Sequence, residues 1–362
     1  MRTFRSDNTA GLCPEALASI IEANDGSHQD AYGDDRYTEK AVEVFRELFG
    51  PRAHVGFVST GTAGNTLAIA SLTEPWQQVV CHGGSHYQAD ESTAPERITH
   101  CRTVQLHPGT TKLSPDDLAE VAATARGDVH EPQPGVVTIS NPTEFGTVYT
   151  PQETASLCEA AHRAGYRVHL DGARFANAVA FLGCDPRALT VEAGVDALTF
   201  GGTKNGLACG EAVLFFPQGD GRAFERASAA FPFHRKATGH LLSKHRFISA
   251  PFAATLTGGV WLEHAGHANA MAGRLAEGLR SLDLDIAYPT QVNSVFVRLP
   301  EEVDAALRAS GHGYYAFPAL RGAAPADAEG PRGTLFRLMC SFDTNAEDVQ
   351  ALLADAEGAI SR

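Results

Sequence analysis

Between residues 50 and 217 the chain alternates short apolar runs with helical segments, and this alternation restricts the fold more than any other feature of the sequence. Ala53–Val58 reads as a strand, followed by the turn Ser59-Thr60-Gly61-Thr62-Ala63-Gly64-Asn65 and an Ala/Leu/Ile helix to Leu72. Val79–Cys81 and Gly135–Ser140 read as strands, as do Tyr166–Leu170, Val195–Phe200 and Ala212–Phe216. Two helix starts carry capping chemistry: Ser114-Pro115-Asp116-Asp117, and the capping box Thr150-Pro151-Gln152-Glu153 before a helix that stops at Gly165. Strands separated by helices predict an α/β fold, with a mostly parallel central sheet covered by helices on both faces. After Pro217 the pattern changes. Residues 222–280 read as mainly helical, Val292–Leu299 and Thr334–Cys340 as strands, Arg321–Gly333 as a loop, and a final helix starts near Asn345. The division expected is a large domain, 1–248, and a smaller C-terminal α+β domain, 249–362.

The 362 residues suffice for two domains, and 43% hydrophobic with 20% charged residues is ordinary for a globular chain. The net charge of −14 is spread along the sequence, which disfavours nucleic acid as a partner. No apolar stretch approaches the ~20 residues of a membrane span. Met1–Asn8 has no apolar signal core, so no membrane association is expected. Seven cysteines without a Cys-x-x-Cys pair argue against a disulfide framework or a metal centre and for a reducing, cytoplasmic setting.

Two of the predicted strands end in reactive groups. Tyr166–Leu170 runs into Asp171-Gly172-Ala173-Arg174, and Val195–Phe200 runs into Gly201-Gly202-Thr203-Lys204. Open α/β sheets bind ligands at such strand ends. An acid and an amine there suit pyridoxal 5'-phosphate (PLP): the carboxylate keeps a proton on the pyridine nitrogen and the amine forms a Schiff base with the aldehyde. Ser59–Asn65 reads either as a phosphate cup, with Gly61 and Thr62 donating, or as an ordinary strand-to-helix turn. His86, in Gly83-Gly84-Ser85-His86-Tyr87, is either a ring-stacking, proton-exchanging residue or one of 15 structural and solvated histidines. Arg174 suits the cofactor's ring hydroxyl or a substrate carboxylate, or else a surface ion pair. Arg337, inside the apolar run Leu335–Met339, needs a partner, either a nearby acid or an amino-acid carboxylate. A Schiff-base Lys204 is expected to have a lowered pKa and to be buried beside cationic or aldimine neighbours. The order phosphate turn, aromatic, acid, lysine and late arginine is the arrangement PLP enzymes use.

With these residues in place, the chain resembles the low-specificity L-threonine aldolases, PLP enzymes of the aspartate aminotransferase fold type. The resemblance rests on Ser6-Asp7-Asn8, Ala31–Asp35, Ser59–Asn65, Thr143–Tyr149, Val168–Ala178, Phe200–Gly206 and Arg337. It implies that Lys204 is the Schiff-base lysine with Thr203 beside it at the cofactor, that Asp171 pairs with the pyridine nitrogen, and that His86 stacks on the ring. Gly61, Thr62 and Lys236 would hold the phosphate. Ser6, Arg174 and Arg337 would hold the substrate carboxylate, and Tyr32 would sit in a loop reaching a neighbouring subunit's site. It also implies a homo-oligomer, dimer or tetramer, with shared active sites. Two stretches depart from the family. Where many members have a histidine in Asn-Thr-His-Asn, this chain reads Ser140-Asn141-Pro142-Thr143-Glu144, and the second phosphate-contacting position holds Ser243 next to Lys244.

The reaction expected is retro-aldol cleavage of a small β-hydroxy-α-amino acid, such as threonine or allo-threonine, to glycine and an aldehyde, with His86 as candidate base for the β-hydroxyl. The rivals are an aminotransferase, a β-eliminating lyase and a non-catalytic PLP-binding protein.

Overall fold

A computed structural model of the chain describes residues 3–317, 329–330 and 333–361. The larger sheet has seven strands: β1 His54–Val58, β2 Gln77–His82, β3 Arg102–Leu106, β4 Gln133–Ser140, β5 Arg167–Gly172, β6 Ala197–Gly201 and β7 Glu211–Phe215, in the order β1-β7-β6-β5-β4-β2-β3. The strands β3, β2, β4, β5 and β6 run parallel to one another. β7 runs antiparallel between β1 and β6. The alternation in sequence does not reveal that reversal, but the connection does. Residues 202–210 are too short for a parallel crossover, which takes about a dozen residues.

Several elements begin where their caps predict. The helix Pro151–Arg163 opens on a complete capping box at Thr150, Pro115–Ala123 on one at Ser114, and Ala346–Ile360 on one at Asn345. The helices Arg222–Ala237, Arg246–Leu256 and Val260–Ser281 fill the Ala-rich stretch. The second sheet is antiparallel: β8 Asp285–Ile286, β9 Ser294–Leu299, β10 Tyr315–Ala316, β11 Glu329–Gly330 and β12 Gly333–Met339, in the order β10-β12-β9-β8, with β11 on β12. Most of the expected loop Arg321–Gly333 lies outside the described residues, but Glu329–Gly330 pair with β12 as a strand.

One face of the larger sheet packs on an aromatic cluster that fixes the strand ends. Phe200, the residue before the Gly201-Gly202 pair, meets Phe45 edge-on at 5.3 Å and Trp261 at 5.5 Å. Truncating such a ring costs about 3–5 kcal/mol, so the end of β6 is held firmly. A separate core under the second sheet gathers Leu275, Leu279, Val295, Val297, Leu338 and Leu352, together with Phe4. The N-terminal segment thus joins the smaller core: Phe4 N–H donates to Gly313 O, and Phe4 O accepts from Met339 N–H.

Candidate active site

Pairing across the larger sheet places Ser140, Asp171 and Thr199 side by side, and Gly201 beside Glu211. The C-terminal ends of β4, β5 and β6 therefore share one edge with the turn after β1. Gly201 lies so close to the Ala173 backbone that a Cβ there would overlap its carbonyl. That contact locks the loop carrying Asp171 and Arg174 against the turn carrying Lys204. Gly64 allows a similar approach, since a Cβ at this point of the helix Gly61–Leu72 would meet Thr199 Cγ2 at 2.5 Å. The glycines thus bring the phosphate-cup candidate, the acid and the lysine to one edge.

At the cup, Thr60 caps the helix and accepts from Ala63 N–H, while its carbonyl takes Gly64 N–H. Gly61 and Thr62 stand half-exposed at the start of the helix, where free N–H groups and the helix dipole favour an anion. Asp171 is buried and accepts from Asn65 Nδ2 at 3.0 Å and from Ala173 N–H at 3.0 Å. Lys204 is half-buried in the 3-10 turn Thr203–Asn205. Glu211 anchors this turn by accepting Gly202 N–H at 2.8 Å, and Thr203 Oγ1 reaches Gly210 O at 3.5 Å. Full burial raises the Glu211 carboxyl to about 7. Two acids, Glu211 and Asp7, are set against Lys204. One acid serves the turn and the other is the counter-ion of Arg174.

His86 opens a short helix after β2 and pairs through Nδ1 with Glu91 Oε1 at 2.9 Å. Asn65 Nδ2 also donates to Glu91 Oε1, at 2.9 Å, so a chain of hydrogen bonds runs from His86 through Glu91 and Asn65 to Asp171. Burial works against a charged imidazole here. The Glu91 hydrogen bond and the carboxylates of Glu144, Asp171 and Glu91 outweigh it and raise His86 to about 9. The pair's stabilisation is full below the ordinary 6.5 and fades as pH rises through about 9. Glu91→Gln is therefore expected to bring the His86 titration, followed by its imidazole NMR shift, down by more than one pH unit. An unmoved titration would remove Glu91 as its cause.

Arg174 lies just after β5 and grips Asp7 with two hydrogen bonds, Nε to Oδ2 at 2.6 Å and Nη2 to Oδ1 at 2.9 Å. Only one edge of the guanidinium is used, which leaves the Nη1/Nη2 end for a second carboxylate. Asn293 Nδ2 holds the same Asp7 at 3.1 Å and donates to Cys340 O at 2.8 Å. Ser6, immediately before Asp7, accepts Asn8 N–H at 3.1 Å. Arg337, on β12, is mostly buried. Its nearest acid among the described residues is Glu144, with Nη1 to Oε2 at 3.8 Å, and among those residues its Nε has no hydrogen-bond partner. Burial pushes its guanidinium down, and the positive charge of Arg174 pushes the same way. Two guanidiniums in reach of one another, one with a buried free donor, make a receptor for a carboxylate.

Tyr32 and Lys236 are brought together elsewhere. Lys236 Nζ lies 4.9 Å over the Tyr32 ring, and Tyr32 N–H donates to Ser243 O at 3.0 Å. Tyr32 is 49% exposed with a left-handed φ of 64°, a strained setting common in functional loops. Among the described residues no hydrogen bond or ion pair ties this group to Asp171, Lys204 or Arg337.

Sequence reasoning left out Glu91, Glu211, Asn293 and the individual role of Asn65. Each acts through a partner distant in sequence, and no local motif signals it. Asp7 and Glu144 were visible only inside quoted stretches.

A lysine and a carboxylate at adjacent strand ends, under an anion-binding helix start and beside an arginine pair, define an α/β enzyme of the amine-and-acid type that handles amino-acid carboxylates. The comparisons agree with that class. The family model described as beta-eliminating lyase matches residues 3–302. A low specificity L-threonine aldolase from Pseudomonas sp. (strain NCIMB 10558) is 41% identical over 99% of this chain and 98% of its own. The solved Leishmania major threonine aldolase superposes with a TM-score of 0.89 at 25% identity, covering 99% of this chain and 100% of that one. A serine palmitoyltransferase from S. paucimobilis with bound PLP, at 17% identity and a TM-score of 0.68, covering 99% of this chain and 86% of that one, shares the fold. The chain belongs to the beta-eliminating lyase family, in its low-specificity L-threonine aldolase branch. Among the described residues no helix is long and apolar enough to cross a membrane.

Proposed function

We propose that the protein binds PLP at this edge and cleaves β-hydroxy-α-amino acids, threonine and allo-threonine among them, to glycine and an aldehyde. The observation that carries the reading is the placement of Asp171 and Lys204 on the ends of neighbouring parallel strands, held together by the Gly201–Ala173 contact. The residues fit the cofactor. Lys204 would tether its aldehyde, Asp171 would hold the pyridinium proton, His86 would cover the ring, and the N–H groups of Gly61 and Thr62 would take the phosphate. PLP, when bound, supplies the electron sink for the bond that breaks.

The rest is work for the chain itself. Arg337 Nε and the free end of Arg174, with Ser6 beside them, seat the substrate carboxylate and so orient Cα. Asp171 keeps its charge in place through the fixed donors Asn65 and Ala173. Tyr32 and Lys236, set apart from Lys204 in one chain, suit a role in a second copy's site, consistent with a homo-oligomer with shared sites.

Arg337→Ala is expected to raise KM for amino-acid substrates roughly 10–100-fold, the loss of one charge-assisted contact, with a smaller change in kcat. An unchanged KM would remove Arg337 from the carboxylate site. The test of the whole reading is to incubate the PLP-loaded protein with threonine and assay products. Glycine with acetaldehyde supports it. Keto acid with ammonia, or keto acid with an aminated cofactor, would favour β-elimination or transamination.

A further inference from the structure

We propose that Glu144 takes the proton from the substrate's β-hydroxyl: its carboxylate stands on a rigid turn after β4, directly beside the guanidinium that would seat the substrate carboxylate. This rests on the retro-aldol reading above and names the base that the reading lacks.

The turn is well fixed. Thr143 N–H donates to Thr147 O at 2.8 Å, Gly146 N–H to Thr143 O at 2.9 Å, and the hydroxyls of Thr143 and Thr147 meet at 2.8 Å. Asn141 braces the far side through two hydrogen bonds to the Tyr149 backbone, each at 3.1 Å. Gly146, at φ 75°, lies against the Ser294 side chain at the start of β9. Glu144 itself is left free on this frame. Among the described residues no hydrogen bond holds either of its oxygens, and its closest charged partner is Arg337, at 3.8 Å. Its charge also acts on His86 and on Arg174. The carboxylate thus lies among the three residues that would surround an amino acid at this edge.

The geometry of the substrate does the rest. In a β-hydroxy-α-amino acid only Cα and Cβ lie between the carboxyl carbon and the carbon-bound hydroxyl. A carboxylate seated on Arg337 therefore brings that hydroxyl into the neighbourhood of Glu144. Glu144 also lines a small recess with His82, Ser85, Thr143, Phe145 and Tyr149. His86 is less suited to the task. Its Nδ1 is committed to Glu91, and with a value near 9 it already carries its proton at neutral pH. A base must arrive without one.

The step balances simply. The hydroxyl proton moves to a Glu144 oxygen, and the O–H electron pair becomes the second C–O bond of the aldehyde. The Cα–Cβ pair stays with Cα, and one proton returns to Cα to give glycine.

The alternative is that Glu144 is only a counter-ion for Arg337. Glycine separates the two roles, because exchange of its α-proton with deuterated water needs the carboxylate clamp but has no hydroxyl to deprotonate. For Glu144→Gln in the PLP-loaded enzyme, threonine cleavage is expected to fall about 10²–10⁴-fold, the usual share of a general base. Glycine exchange, and the glycine Kd read by titrating the cofactor absorbance, are expected to stay within about threefold of wild type, on the uniform-binding argument. Glu144→Ala should give the same split, and Glu144→Asp should recover part of the cleavage. Retained exchange also shows that the variant is folded and loaded. If cleavage, exchange and glycine affinity fall together in all three variants, Glu144 serves the clamp and the proposal is overturned. Cleavage within tenfold of wild type in Glu144→Gln overturns it equally. A wild-type protein that releases no glycine from threonine is a separate result and sinks the retro-aldol reading itself.

Discussion

Replacing Lys204 with alanine is expected to take threonine cleavage to background and to remove the visible absorbance band of the PLP-loaded protein. Among the described residues at this edge, the Lys204 amine is the group suited to join the cofactor's aldehyde and to exchange with the substrate amine. The acids set against Lys204, Asp7 and Glu211, cannot form that bond in its place. The turn should survive the substitution. It is built from backbone contacts, Gly202 N–H on Glu211 and the close packing of Gly201 on Ala173. Mass spectrometry of borohydride-reduced protein provides the check. Wild type should carry the fixed cofactor on the peptide containing Lys204, and the variant should carry none. Cofactor fixed to another lysine in both proteins would refute the assignment.

Asp171→Ala has the next largest effect, a loss in kcat of about 10²–10³-fold, typical of removing one preorganised charge. The carboxylate is buried, and its donors Asn65 and Ala173 hold it aimed. Without it nothing at the end of β5 keeps a proton on the pyridine nitrogen. Cofactor tethering should persist, since Lys204 is untouched, so the absorbance band remains while turnover collapses. Asp171→Asn preserves the shape and should lose nearly as much. A variant with normal turnover would mean that the ring is bound in another orientation.

The main outline of this site was legible in the sequence because its principal members sit at element ends, where local pattern speaks clearly. Asp171 and Lys204 follow apolar runs, Gly61 follows one and opens a helix, and Arg337 interrupts a strand. What pattern does not carry is partnership. Arg174 suited either a ligand or an ion pair, and only the fold shows that one edge of it is filled by Asp7, far away in sequence. Glu91 looks like any helix-flanking acid until folding brings His86 and Asn65 to it. The reversed strand β7 hides in the same way, because an apolar run has no direction until the length of its connection is considered. Resemblance supplied roles for Tyr32 and Lys236. Their pairing with each other, apart from Lys204, emerges only in three dimensions.

The staple through Asp7 also bears on how the enzyme matures. Asp7 and Asn293 are separated by 286 positions, among the longest loops the chain must close. Closing it comes late by contact-order reasoning, so a nearly complete molecule with both sheets formed would still have a misaligned Arg174. Catalytic competence should then lag behind the gain of secondary structure during refolding, and crowding at residues 4–7 by an appended peptide would lengthen that lag.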